Sequence, residues 1–242
     1  MLSREGFWKV IVTGVLSAFV CSTQAAQPLE ISVIGGNGMI GQRIVREALD
    51  RGHEVTVIVR EPSVVEVKDQ RLRVRKGDVL DKKQLAELLS GQDVIVSAVG
   101  SARDKSPDPT LYRKAAESLV GVLQDLGKNA PRLIVVGGVG SLKTPKGDLV
   151  LDRVPPERKP EHLGQQAALD YYRTISAVSW TYVSPPGSIK PGERTGVFRI
   201  GEDTILLNEA GDSAITMEDY AVAIINEAES PAHVGRRFTV GY

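Results

Sequence analysis

Leu29-Glu30-Ile31-Ser32-Val33-Ile34-Gly35-Gly36-Asn37-Gly38-Met39-Ile40-Gly41 is the stretch that decides the fold of this chain. An apolar strand runs into glycines spaced G-x-x-G-x-x-G, and a helical pattern begins at Met39. Strand, glycine turn and helix in that order build a pocket for a dinucleotide pyrophosphate. Gly35 permits the tight turn, Gly38 the approach of backbone to phosphate, and Gly41 the close packing of helix on strand. The helix start adds N–H groups without helical acceptors and a partial positive charge facing the anion. Gly35, Gly36, Asn37, Gly38, Met39, Ile40 and Gly41 are therefore the first candidate cofactor-binding residues.

Beyond this unit, strand and helix patterns alternate to the end of the chain. Strands are expected at Ile31–Ile34, Glu54–Arg60, Leu72–Lys76, Asp93–Val99, Arg132–Val136 and Trp180–Val183. Short strands follow within Val197–Leu207, and Phe238–Val240 closes the chain. Met39–Asp50 reads as a helix with Ile40, Ile44, Val45 and Leu49 on one face, ended at Gly52. Further helices are expected from Asp81 to Leu89, from Thr110 to about Leu126, after Pro160 through Arg173, and over Met217–Glu229 with Thr216 as cap. The strands are near-continuous apolar runs, which suits a sheet covered on both faces. The expected fold is α/β: a doubly wound, mostly parallel Rossmann-type sheet with helices on both faces. Residues 27–242 form one domain, with about 190–242 as a small substrate-side extension.

At 242 residues with 42% hydrophobic and 25% charged content, the chain suits one soluble domain with a sizeable core. Its formal net charge is zero, so charge gives no reason to expect nucleic acid or an anionic membrane surface as partner. Arg4 and Lys9 precede the apolar run Val10–Val20, and small residues follow to Ala26. Residues 1–26 therefore read as an export signal cut after Ala25 or Ala26, placing the mature protein in the periplasm; a leader that is not a signal leaves it cytoplasmic. Cys21 is the single cysteine, so no intrachain disulfide forms.

Other candidates end successive strands. Arg60 lies about twenty residues after the glycines, where an acid would bond the ribose 2′-hydroxyl of NAD and an arginine accommodates the 2′-phosphate of NADP. NADP is the expected cofactor, with NAD the lesser alternative because Glu61 adjoins Arg60. Asp78 is placed to accept from an adenine amino group and Val79 to pack on the ring. Ala98, Val99 and Gly100, and then Gly137 to Ser141, leave room for ribose and nicotinamide with small residues. Each of these positions also suits a plain turn or packing role.

Together these pieces resemble the atypical short-chain dehydrogenase/reductase family, in its NAD(P)H-binding, NmrA-like and flavin-reductase-like branch. The matching residues are Gly35–Gly41, Val57–Arg60, Gly77–Val79, Val135–Gly138, Trp180–Gly187 and Ile215–Ala221, so the likeness spans about residues 29–242. The resemblance implies a Rossmann domain for NADP(H), with substrate beside the nicotinamide near Ser184-Pro185-Pro186-Gly187; Pro185 joins the cofactor candidates on that ground. One departure stands out. Classical members carry Tyr-x-x-x-Lys on the helix after the fifth strand, and the corresponding positions here are about His162 and Gln166. Glutamine carries no charge with which to lower a neighbour's pKa. His162 is a candidate proton donor, though near a helix start a solvent-exposed histidine is the plainer expectation. Ser141 is a candidate substrate-orienting hydroxyl, while Tyr171 and Tyr172, with no lysine four residues on, read as packing residues.

Hydride transfer to a flavin or quinone does not need a tyrosine acid, whereas carbonyl reduction develops alkoxide charge and gains from one. The expected function is thus an NADP(H)-binding oxidoreductase reducing a flavin, quinone or similar small acceptor, as monomer or homodimer. The alternatives are an NADP(H)-binding redox sensor or scaffold without turnover, and an enzyme like the sugar-nucleotide epimerases and dehydratases. A small-molecule substrate is expected, with no metal and no membrane contact beyond the leader.

Overall fold

The computed structural model describes residues 27–100 and 108–242; the expected leader and Cys21 lie outside them. Ten strands and five α-helices are described: β1 Glu30–Ile34, α1 Met39–Asp50, β2 Glu54–Val59, β3 Leu72–Lys76, α2 Lys82–Leu89, β4 Val94–Ser97, α3 Thr110–Leu126 and β5 Arg132–Val136. There follow α4 Lys159–Arg173, β6 Trp180–Ser184, β7 Ser188–Lys190, β8 Arg199–Gly201, β9 Ala214–Thr216, α5 Met217–Glu229 and β10 Arg236–Gly241. The main sheet runs β3-β2-β1-β4-β5-β6-β10-β8. Its pairs are parallel except β10–β8. The order reverses between β1 and β4, and ligands of open α/β sheets bind beyond the strand ends at such a reversal.

Alternation along each strand sorts the core into two layers. Ile31 and Val33 join Val55, Val57, Val94 and Val96 beneath α1 and α5, where Ile44, Val45, Tyr220 and Ile224 meet them. Ile34, Ile58, Ile95 and Leu133 face the other way, under α2, α3 and α4, against Leu85, Leu119, Leu169 and Tyr172. Both faces are thus covered, as the apolar strands led one to expect. Caps fix two helices where the sequence placed them: the Asp81 side chain accepts from Gln84 N–H and that of Thr216 from Asp219 N–H.

Some boundaries differ. β2 stops at Val59 and β4 covers only Val94–Ser97, so Arg60, Ala98 and Val99 stand just past the strand ends rather than within them. Within Val197–Leu207 one strand forms, β8, and a separate parallel pair, β7–β9, joins Ile189 to Ile215. No helix among the described residues is long and apolar enough to cross a membrane.

The segment before β8 is tied down by one carboxylate. Asp219, fully buried at the start of α5, accepts from Thr195 N–H at 2.8 Å, Gly196 N–H at 2.7 Å and the Tyr242 hydroxyl at 2.7 Å. Burial opposes its ionisation, but the donors from Thr195, Gly196 and Tyr242 outweigh it and hold the carboxyl below its usual range. A depressed folded pKa contributes stability that is present above the unfolded value, about 4, and is lost as pH falls through the folded value. Asp219→Asn should therefore lower Tm at pH 7 by several degrees, with less further loss in acid than the parent shows. A melting series from pH 7 to pH 3 checks both parts.

Candidate functional site

The glycine turn is built to a tolerance that only glycine meets at two positions. Gly35 has φ +78°, a left-handed conformation, and a β-carbon there would stand 2.6 Å from the Ala98 carbonyl oxygen. The turn after β1 is therefore pressed against the end of β4, at the reversal point of the sheet. A β-carbon on Gly41 would overlap the Gly35 carbonyl oxygen, so α1 starts directly on the turn. Gly38 caps α1 with no side-chain hydrogen bond, and the first turn holds no acidic residue. The first amide to close a helical bond is Gln42, onto Gly38. Met39, Ile40 and Gly41 thus begin the helix with N–H groups lacking helical acceptors, the donor set an anion requires. An acid-free helix start beside glycines suits an anion such as a pyrophosphate by its charge and by the donors it offers.

The other candidates follow strand ends along the same carboxyl edge. Arg60 is exposed just past β2, and Lys76 ends the neighbouring β3 in register with Val59. Glu61, which blurs the cofactor reading in the sequence, has its carboxylate engaged by Ser63: it accepts from the Ser63 hydroxyl at 2.8 Å and the Ser63 amide at 3.4 Å. Those bonds hold its pKa low. Asp78 is exposed and its Oδ1 accepts from Leu80 N–H at 2.9 Å, a local turn bond, while Val79 is buried beside it. Ala98 and Val99 are half-buried and Gly100 is exposed; Pro185 is buried just past β6. Gly137 is buried against the Tyr182 ring.

The α4 positions require a correction. His162 does not point into solvent: it is 8% exposed, lying against Gly140, and its Nδ1 has no hydrogen-bond partner. Burial, with Arg158 adding to it, lowers its pKa, so the ring is neutral at pH 7. Gln166 and its neighbour Gln165, unremarked in the sequence, each bury a side-chain oxygen without a partner. The Gln165 carboxamide lies on Gly138, where any β-carbon would overlap it. Tyr172 is buried and Tyr171 half-buried beneath the Arg113 guanidinium, which is the packing role expected of them. Burial pushes the Tyr172 and Tyr182 hydroxyls upward, away from proton donation near neutrality.

Ser141 is buried and its hydroxyl oxygen accepts from Arg237 Nη1 at 3.2 Å. Arg237 is itself buried, donates to Asp203 through Nε at 2.8 Å and again through Nη2, and reaches Ser184 Oγ at 3.4 Å. This network joins the loop after β5, the end of β6, the start of β10 and the loop after β8, and it engages the Ser141 hydroxyl. Tyr112 at the start of α3 is a further group the sequence did not single out; its hydroxyl donates to Glu161 at 2.8 Å.

Comparison with known proteins agrees with this geometry. Residues 35–231 match the family model described as NAD(P)H-binding. YwnB of Bacillus subtilis (strain 168) is 36% identical over 217 residues, covering 88% of this chain and 98% of its own. A candidate epimerase from Bacteroides thetaiotaomicron superposes with TM-score 0.80 at 32% identity, over 89% of this chain and 98% of that one. A candidate NADH-flavin reductase from Streptococcus pneumoniae TIGR4 superposes with TM-score 0.73 at 34% identity, over 88% and 99%.

Proposed function

Since this chain belongs to the NAD(P)H-binding family, within the atypical short-chain dehydrogenase/reductases, we propose that it is an NADPH-dependent reductase of a flavin, quinone or similar small acceptor. The observation that carries the reading is the buried face of α4. At the positions where classical members keep Tyr-x-x-x-Lys it holds His162 and Gln166, with Gln165 beside them, and its buried phenol, Tyr172, packs against Trp180 instead. A neutral imidazole and two carboxamides cannot hold a phenol ionised by charge. A flavin or quinone accepts hydride at conjugated positions that spread the incoming charge and then take a proton from water. The resemblance to a candidate flavin reductase at 34% identity supports the same class.

The chain's own groups divide the work by position. Gly35 to Gly41 hold the pyrophosphate through backbone N–H donors. Arg60, with Lys76 beside it, supplies positive charge at the adenosine ribose and favours a 2′-phosphate there, while Glu61 is engaged by Ser63. Ala98, Val99, Gly100, Gly137 and Pro185 line the path toward the reacting ring, where a reduced nicotinamide supplies hydride. The Arg237-bound Ser141 hydroxyl orients substrate, and the extension from about residue 190, anchored by Asp219, closes that side. Residues 1–26 are an export leader on this reading.

The test is acceptor-dependent oxidation of NADPH by the purified protein, followed at 340 nm. Riboflavin and a short-chain quinone should be reduced at rates at least tenfold above simple aldehydes and ketones. Binding of NADPH with no oxidation by any acceptor would overturn the enzyme reading in favour of a sensor or scaffold.

A further inference from the structure

The two methionines among the described residues hold the same place in two helices and differ in what covers them. Met217 opens α5 and is 5% exposed, whereas Met39 opens α1 and is 58% exposed. Cα–Cβ bonds on a helix tilt toward its N-terminus, so a side chain at the first position leans over the helix start. At α1 that start adjoins Gly35-Gly36-Asn37-Gly38, where the glycines have no side chains to cover a neighbour. The Met39 thioether is therefore open to solvent at the end of α1 where the Met39, Ile40 and Gly41 N–H groups lack helical acceptors.

An exposed thioether reacts with hydrogen peroxide. A sulfur lone pair attacks one peroxide oxygen, an S–O bond forms and the O–O bond breaks. The departing hydroxide takes the proton of the transferred hydroxyl and leaves as water, so sulfur is oxidised by two electrons and peroxide reduced by two. The product, methionine sulfoxide, replaces an apolar group with a polar one whose oxygen carries partial negative charge and accepts hydrogen bonds. At a helix start such an oxygen repels an anion and competes with it for the free N–H groups.

We propose that Met39 is a site of reversible oxidation whose sulfoxide weakens dinucleotide binding at the start of α1. The proposal rests on the cofactor reading above. The reductase reading also names a source of oxidant: reduced flavin gives two electrons and two protons to dioxygen and yields hydrogen peroxide. Oxidation of Met39 then slows the reaction that supplies the peroxide.

The test treats the purified full chain with hydrogen peroxide and follows oxygen uptake by peptide mass spectrometry. The Met39 peptide should gain one oxygen about tenfold faster than the Met217 peptide, and saturating NADP+ should slow that gain severalfold. By calorimetry the oxidised protein should bind NADP+ about fivefold to tenfold more weakly, and methionine sulfoxide reductases with dithiothreitol should restore the affinity. Met39→Leu keeps apolar bulk and removes the sulfur, so its affinity should be the same before and after peroxide. That comparison separates Met39 from Met1, Met217 and Cys21. Met39→Gln, which carries a permanent carbonyl oxygen near the helix start, should bind NADP+ more weakly than Met39→Leu. Equal oxidation of Met39 and Met217, unchanged affinity in the oxidised parent, or a loss that Met39→Leu shares would each overturn the proposal. An untreated parent that binds no NADP+ defeats the cofactor reading and the proposal with it, whereas one that binds equally well before and after Met39 oxidation defeats the proposal alone.

Discussion

Gly41→Val should abolish NADPH binding, with affinity reduced at least a hundredfold, and should lower stability by about 1–3 kcal/mol. The expectation follows from what a β-carbon meets at this position. Its nearest neighbours are the carbonyl of Gly35 and the α-carbon of Gly36, both backbone, so no side-chain rotation relieves the overlap. The start of α1 must move off the turn, and the N–H groups of Met39, Ile40 and Gly41 move with it. Binding suffers more than folding, because Ile44, Val45 and Leu49 still reach the core from later turns of the helix. Gly41→Ala grades the effect: a single methyl should cost less stability but still misplace the donors. Chemical denaturation and NADPH fluorescence titration of the two variants measure both quantities.

Arg60→Glu should reverse the cofactor preference. Loss of a charge-assisted bond to the 2′-phosphate costs about 2–3 kcal/mol, roughly 30- to 150-fold in NADPH affinity, and the new carboxylate repels the same phosphate. NADH has a 2′-hydroxyl instead, which a carboxylate accepts from, so its affinity should hold or rise a few-fold. The exchange of preference is the informative quantity, since a general disturbance of the β2 end would weaken both cofactors alike. Lys76 remains in the variant and limits the size of the swing. Competitive titration of NADPH and NADH on parent and variant gives the ratio, and equal loss of both would refute the phosphate role.

The elements that the sequence placed well are those whose cause is local. Met39–Asp50, Leu72–Lys76, Thr110–Leu126, Arg132–Val136 and Met217–Glu229 stand where the apolar pattern put them, the last also with its Thr216 cap, because these signals lie within a few residues of each other. The turn at Gly35 to Gly41 is legible for the same reason. What escaped is set by contacts distant along the chain. β7 and β9 are three residues each, with no alternation to read, and they exist only because Ser188–Lys190 meets Ala214–Thr216. His162 reads as exposed because Lys159 and Glu161 precede it in the first turn of α4. Its burial comes from Gly140, which has no side chain to hold the helix off. Gln165 lacks any signal in the sequence for the same reason, since its partner surface is Gly138. The link from Ser141 through Arg237 to Asp203 joins three segments that show no common pattern.

The role of the cofactor edge also explains an imbalance in the site. Its proposed phosphate half is defined by backbone, with a side chain intruding on backbone at Gly35 and Gly41 and on the Val57 side chain at Gly36. Its proposed reacting half is defined by side chains on α4 and beyond β5, where a few substitutions should redirect chemistry without disturbing the sheet.

The most direct test of the central claim is calorimetric titration of the full chain with NADPH, alongside the Gly41→Val variant. The account predicts saturable binding of one NADPH per chain by the parent, displaced by NADP+ and lost in the variant. No binding by the folded parent, or binding that survives Gly41→Val unchanged, would contradict it.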